Sequence, residues 1–198
     1  MSFIDQLNKS PGYFDLPQGL DGWVIFALII GGNFYLAIRW HKFNRKMTRM
    51  RMLIFIMLLI STVITSLVIG IHIPATDSMP VPGKTLLPTG AALMFFSALP
   101  WCLGAGFLGP VLTGALAGFS GLLIGYFDNH NLFLPLVYFM LGMIFSFFVR
   151  QNYRTLPYRL LRHPLTAGFV ISLIYPVLVV ISMIFITEDT IVVRLGYA

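Results

Sequence analysis

The side chains able to do chemistry in this sequence are few, and most of them fall around one pair of loops. His72, Asp77, Asp128 and His130 bring imidazole nitrogens and carboxylate oxygens, donor types that hold a cation or orient a polar ligand. Lys84 adds a positive charge, and Phe127 adds an apolar wall beside Asp128. The ordinary reading of these six is solvated or interfacial loop positions. The sharper one is a ligand site at one mouth of the fold, with His72, Asp77, Lys84, Phe127, Asp128 and His130 converging on it. Gly83-Lys84-Thr85 ends like a phosphate-binding loop, but that motif needs a glycine at position 78, where Ser78 stands. His41 and His163 border basic segments, and none of the four histidines lies in the middle of an apolar stretch. Paired axial ligation of a haem is therefore not expected. Cys102 is the lone cysteine, which excludes an intramolecular disulfide and a cysteine-based metal cluster. No Ser/His/Asp set and no carboxylate pair stands out, so neither an enzyme, a metal centre nor a cofactor is expected.

The elements that carry these residues follow from composition. The chain has 198 residues, of which 58% are hydrophobic and 10% charged, and its mean hydropathy is +0.86. Soluble domains carry roughly 25% charged residues, and a chain this poor in charge cannot cover its surface in water. That excludes a soluble enzyme, a disordered tail and a disulfide-stapled secreted domain. An all-α polytopic membrane protein remains, its partner the lipid bilayer.

Charge-free windows predict six transmembrane helices, at 22–38, 52–73, two within 85–127, 132–149 and 164–186. The turn between the third and fourth falls at Phe107-Leu108-Gly109-Pro110, because proline opens a helix but does not continue one. Pro88, Pro110, Pro135 and Pro164 lie near helix starts, Asp21 is the expected N-cap of the first, and Pro100 and Pro176 are expected to kink the spans that hold them. Residues 1–20 read as an external interfacial segment with Phe3, Ile4, Leu7 and Phe14 toward lipid, 21–187 as the six-helix bundle, and 188–198 as an external tail.

Charge sets the orientation. Arg39, Lys42, Arg45, Lys46, Arg49 and Arg51 form one basic run, and Arg150, Arg154, Arg159 and Arg162 form a second. Together they hold ten of the 13 Lys and Arg, and each run separates two apolar stretches. Placing both in the cytoplasm puts the two termini and all seven acids outside, with the chain in a bacterial cytoplasmic membrane. The same distribution argues against a nucleic-acid partner despite the net charge of +6.

Gly114, Gly118, Gly121 and Gly125 line one face of the fourth span, and two of the steps are G-x-x-x-G. Such a face lets a neighbouring backbone approach closely. The bland reading is packing inside this chain; the sharper one is a face for another membrane protein or a small ligand.

From about Gly83 onward the chain resembles the multi-span sensor regions that precede GAF and histidine-kinase modules in bacterial signalling proteins. The matching residues are Leu108-Gly109-Pro110, the glycine ladder, Asp128-Asn129-His130, then 149–154, 158–164 and 193–198. The Gly-Pro and Gly-rich helix pair is more distantly similar to five-span sensors of the LytS type and to S-components of energy-coupling-factor transporters. The resemblance implies a non-catalytic sensory or input module, with helix repacking relayed to a partner. It also implies an output module, which residues 1–198 do not contain; a fragment of a longer receptor and a stand-alone subunit both stay open. Two other functions stand beside the sensor: an accessory subunit of a larger respiratory or photosynthetic type of membrane complex, and an S-component-like solute-binding unit.

Overall fold

Proline placement marks the helix starts. In the computed structural model Pro110 and Pro164 are the first residues of their helices, and Pro100, Pro135 and Pro157 are second residues. There the missing N–H has no intrahelical partner to lose. The structure describes residues 13–17, 19–44, 46–67, 71–72, 92–93, 96–127 and 130–184. The order is α1 (Gly19–Trp40), a 3-10 turn (His41–Phe43), α2 (Arg49–Leu67), β1 (Ile71–His72), β2 (Ala92–Leu93), α3 (Leu99–Phe107), α4 (Pro110–Phe127), α5 (Leu134–Arg150), α6 (Leu156–Leu161) and α7 (Pro164–Ile184). Asp21 sits in the first turn of α1, two residues inside the start, where its carboxylate complements the helix dipole instead of capping it.

Two outer helices are polar inward and apolar outward. The buried residues of α1 are Gly22 and Asn33; those of α2 are Thr62, Thr65 and Ser66. Leu28, Phe34 and Ile38 on α1 and Leu53, Met57 and Ile60 on α2 are exposed. Water would reverse that arrangement, since exposed apolar area costs about 25 cal/mol per Å². Hydrocarbon removes the cost and makes an outward hydroxyl or amide the expensive choice. Thr62 and Thr65 also donate back to the Leu58 and Ser61 carbonyls, so their hydroxyls are satisfied within the helix.

The core is α4 packed against α5, with α3 beside both. Half of the α4 apolar window is buried in the protein, against 11% for α1 and 17% for α2, which makes α4 the central helix. Its four ladder glycines face α5 and the loop before it. A Cβ on Gly114 would stand 2.7 Å from Met143 Cγ, one on Gly121 2.7 Å from the Leu134 carbonyl, and one on Gly125 2.8 Å from the Asn131 carbonyl. The α5 side answers with Gly142, whose added Cβ would meet Ala117 Cβ at 2.6 Å. Gly118 is less crowded, at 3.2 Å from Phe139 Cβ.

Among the described residues, four helices are long and apolar enough to cross a membrane: Gly19–Phe43 (with the 3-10 turn), Arg49–Leu67, Pro110–Phe127 and Pro164–Ser182. Leu134–Arg150 is apolar and slightly shorter, at 17 residues. The third expected span is corrected. Residues 92–93 are extended and pair antiparallel with 71–72, residues 96–98 form a turn, and the helix that follows has nine residues. Nine residues rise only about 13 Å, under half of a ~30 Å hydrocarbon core. Hydropathy counts side chains and cannot register that the chain is extended and turned before Leu99. Pro100 consequently opens α3 and kinks nothing, while α7 continues through Pro176.

Phe14 also departs from expectation. It packs on Tyr126, ring centroids 5.3 Å apart, instead of turning to lipid. The reason is backbone pairing: the Asp15 N–H donates to the His130 carbonyl at 2.7 Å, and Asp15 forms a parallel bridge with Asn131. Phe3, Ile4, Leu7 and the tail 188–198 lie outside the described residues.

Candidate functional site

The broken start of α3 is where backbone polarity meets the interior. Ser97, in the turn before α3, is buried, and its carbonyl accepts from Ser120 Oγ at 3.3 Å. Ser120 stands in the middle of α4 and also meets Ser66 Oγ of α2 at 2.8 Å. With the Ser120 proton committed to the Ser97 carbonyl, Ser66 is the donor to Ser120. Non-helical backbone inside a bundle survives only where protein or water satisfies it, and these two hydroxyls supply part of that satisfaction. All three residues are buried, two of them at 1% exposure or less.

Below it, Trp101 lies edge-on to Phe145, centroids 5.7 Å apart, and packs with Ala105, Leu108 and Leu116. Its indole N–H and the Thr113 hydroxyl are buried without a hydrogen-bond partner among the described residues. Ser146 donates to the Ala105 carbonyl, a further α5-to-α3 tie. The helix ends at Leu108 and turns at Gly109, whose φ of +118° strains any other residue. Gly109 also abuts Asn44: an added Cβ would stand 3.1 Å from the Asn44 Cα and 3.4 Å from an Arg150 nitrogen. Asn44 Oδ1 accepts the Val111 N–H at 3.1 Å and so serves the first turn of α4. The α3 rod thus runs from the serine junction to the end of the bundle where both basic segments meet.

At the opposite end the expected mouth is only partly described. His130, at φ 51°, stacks face to face on Tyr13, centroids 3.8 Å apart, and its Nδ1 lies 3.2 Å from the Tyr13 carbonyl oxygen. Asn131 accepts from the Phe133 N–H at 2.8 Å and donates to Ser182 Oγ at 3.1 Å, tying the loop to α7. Phe127 sits edge-on to Tyr126. The His72 backbone pairs with Ala92. Asp77, Lys84 and Asp128 lie outside the described residues. Among the described residues no three His, Cys, Asp or Glu side chains are grouped to hold a metal ion. What the structure brings to His130, among the described residues, is the segment 13–15, through the Tyr13 ring and carbonyl and the Asp15 N–H.

Sequence reasoning passed over Ser66, Ser97 and Ser120. The available signal was weak: each is a single hydroxyl in an apolar stretch, and only the fold reveals that they share one point. Comparison with protein-family models, with curated proteins and with solved structures finds no match.

Proposed function

We propose that this chain is a non-catalytic membrane input module, in which α3 is the part that moves. The carrying observation is the contrast between two kinds of contact. The α4–α5 pair is in close approach at Gly114, Gly121 and Gly142, where even an added Cβ would stand 2.7, 2.7 and 2.6 Å from its nearest neighbour. The turn at the head of α3 is held to α4 by a hydroxyl bond from Ser120 to the Ser97 carbonyl, and only through Ser120 to Ser66 of α2; such bonds are worth about 0.6 kcal/mol on average between membrane helices. A signal at the paired strands 71–72 and 92–93, or a change in bilayer state, therefore acts at the hydroxyl-tied head of α3, and the core residues Trp101, Ala105 and Leu108 carry the displacement along the helix. Its displacement reaches Gly109, Asn44 and the basic segments. In this reading the chain makes six passes of a bacterial cytoplasmic membrane, the third completed by extended backbone and the half-helix. Both basic segments are cytoplasmic and both termini outside.

The test uses spin labels at two exposed positions, L103C on α3 and L122C on α4, in a C102S background. The labelled protein is reconstituted in short-chain and long-chain phosphatidylcholine vesicles and titrated with a small-metabolite library. An input module changes the interlabel distance under at least one condition. A distance unchanged throughout rejects the reading and favours an accessory subunit, which needs no moving part.

A further inference from the structure

The end of the bundle that carries Asn44, Gly109 and Arg150 is also unlike the rest of the surface in its charge. No Asp or Glu occurs from 22 to 76, from 78 to 127 or from 129 to 187. Arg39, Lys42, Lys46, Arg49, Arg51, Arg150, Arg154, Arg159 and Arg162 therefore crowd one end with no acid in the same segments.

The geometry there is fixed, not a loose basic loop. Gln151 is 1% exposed; its Nε2 donates to the Tyr158 carbonyl and its Oε1 accepts from the Tyr153 N–H at 2.9 Å. One buried amide thus folds 151–158 back on itself and sets where α6 begins. Aromatic rings join the two basic segments: Trp40 stacks on Phe147 at 4.4 Å, Phe147 meets Tyr153 at 6.3 Å, and Tyr153 meets Tyr158 at 5.0 Å. Yet α6 itself has no buried residue. Leu156 is 72% and Leu160 57% exposed, alongside exposed Arg154, Arg159 and Arg162. A short helix with leucine and arginine equally outward, on an aromatic-rich end, matches a headgroup layer: acyl chains for the leucines, anions for the arginines.

We propose that this end is an anionic-phospholipid docking surface, with α6 lying in the cytoplasmic interface, Leu156 and Leu160 in the acyl boundary and Arg154, Arg159 and Arg162 on lipid phosphates. The inference rests on the cytoplasmic placement of the basic segments proposed above. Charge complementarity selects the occupant, since basic residues beside an anionic leaflet add to binding one by one.

The full chain is reconstituted in nanodiscs of equal phosphatidylglycerol and phosphatidylcholine, extracted mildly, and its retained lipid is weighed by native mass spectrometry. Phosphatidylglycerol is expected to be enriched by roughly fivefold or more over the bulk mixture. R154Q/R159Q/R162Q should abolish most of that enrichment, and R154K/R159K/R162K, which keeps the charge and controls for folding, should retain it. Free inorganic phosphate should not displace the bound lipid. Retained lipid of bulk composition overturns the proposal, and so does an undiminished enrichment in a folded glutamine variant. Displacement by inorganic phosphate overturns it too, in favour of a soluble-anion site. Labelling of K46C or R154C, in a C102S background, by a membrane-impermeant thiol reagent added outside intact bacterial cells defeats the placement itself, a failure distinct from the loss of lipid selectivity.

Discussion

Ser66 and Ser120 touch at 2.8 Å although 54 positions separate them in sequence, and the Ser97 carbonyl completes the contact at 3.3 Å. A serine hydroxyl in an apolar helix usually bonds its own preceding turn. Ser120 instead uses its proton on a different segment, which makes it the hinge pin between α2, α4 and the start of α3.

That arrangement predicts non-additivity. Ser66→Ala and Ser120→Ala should each destabilise by about 0.5–1.5 kcal/mol, with Ser120→Ala the larger because it removes two contacts, to Ser66 and to the Ser97 carbonyl. The double variant should lose less than the sum, with a coupling of about 0.6 kcal/mol. Unfolding in mixed micelles measures the cycle, and strict additivity would show that the hydroxyls do not share a bond.

The glycines divide into two groups by what surrounds them. Gly121→Ala and Gly142→Ala place a methyl 2.7 Å from backbone oxygen and 2.6 Å from Ala117 Cβ, so each should cost about 1–3 kcal/mol. Gly31→Ala on α1 has nothing within 4 Å and should be neutral or slightly stabilising. Thermal melts of the three variants in one detergent decide it; equal melting temperatures would mean that α4 and α5 are not in backbone contact.

Asn33 donates from Nδ2 to the Leu136 carbonyl at 3.1 Å, a polar tie between α1 and α5. Asn33→Leu should loosen α1 without unfolding the α4–α5 pair. Limited proteolysis in nanodiscs should then cut at 41–48 faster than in the parent, while cutting at 151–155 stays constant. Equal rates at both places would remove Asn33 from any role in docking α1.

Gln151→Ala removes both bonds that fold 151–158, leaving the Tyr158 carbonyl and the Tyr153 N–H without that amide. Hydrogen exchange over 152–160 should rise by at least tenfold, corresponding to about 1.4 kcal/mol of lost local stability. Exchange in α4 should not change. An unaltered rate at Tyr153 would show that the loop is held by something other than this side chain.

Much of this fold was legible because its signals are local. Pro110, Pro135 and Pro164 stand at the first or second positions of their helices, and the ladder from Gly114 to Gly125 marks a close helix contact through spacing alone. What could not be read was non-local. The break before Leu99 depends on hydroxyls from α2 and α4, and residues 85–107 are charge-free and mostly apolar whether helical or extended. Docking of Phe14 on Tyr126 depends on a bridge between Asp15 and Asn131, far apart in the chain. The stacking of the His130 ring on Tyr13 is equally non-local, joining residues 117 positions apart.

The nine-residue length of α3 has a consequence for the order in which the protein is made. Spans enter a bilayer in the order of their synthesis, and α1 and α2 are long and apolar enough to be released on their own. Leu99–Phe107 is not, and the Ser120 and Phe145 side chains that receive it are synthesised later. In the six-pass reading proposed above, residues 92–107 therefore wait near the exit site until α4 and α5 have paired, and only then seat against them. Assembly of this bundle is gated by its last-made partners. A chain halted after α4 would hold Ser120 but not Phe145, leaving α3 half received.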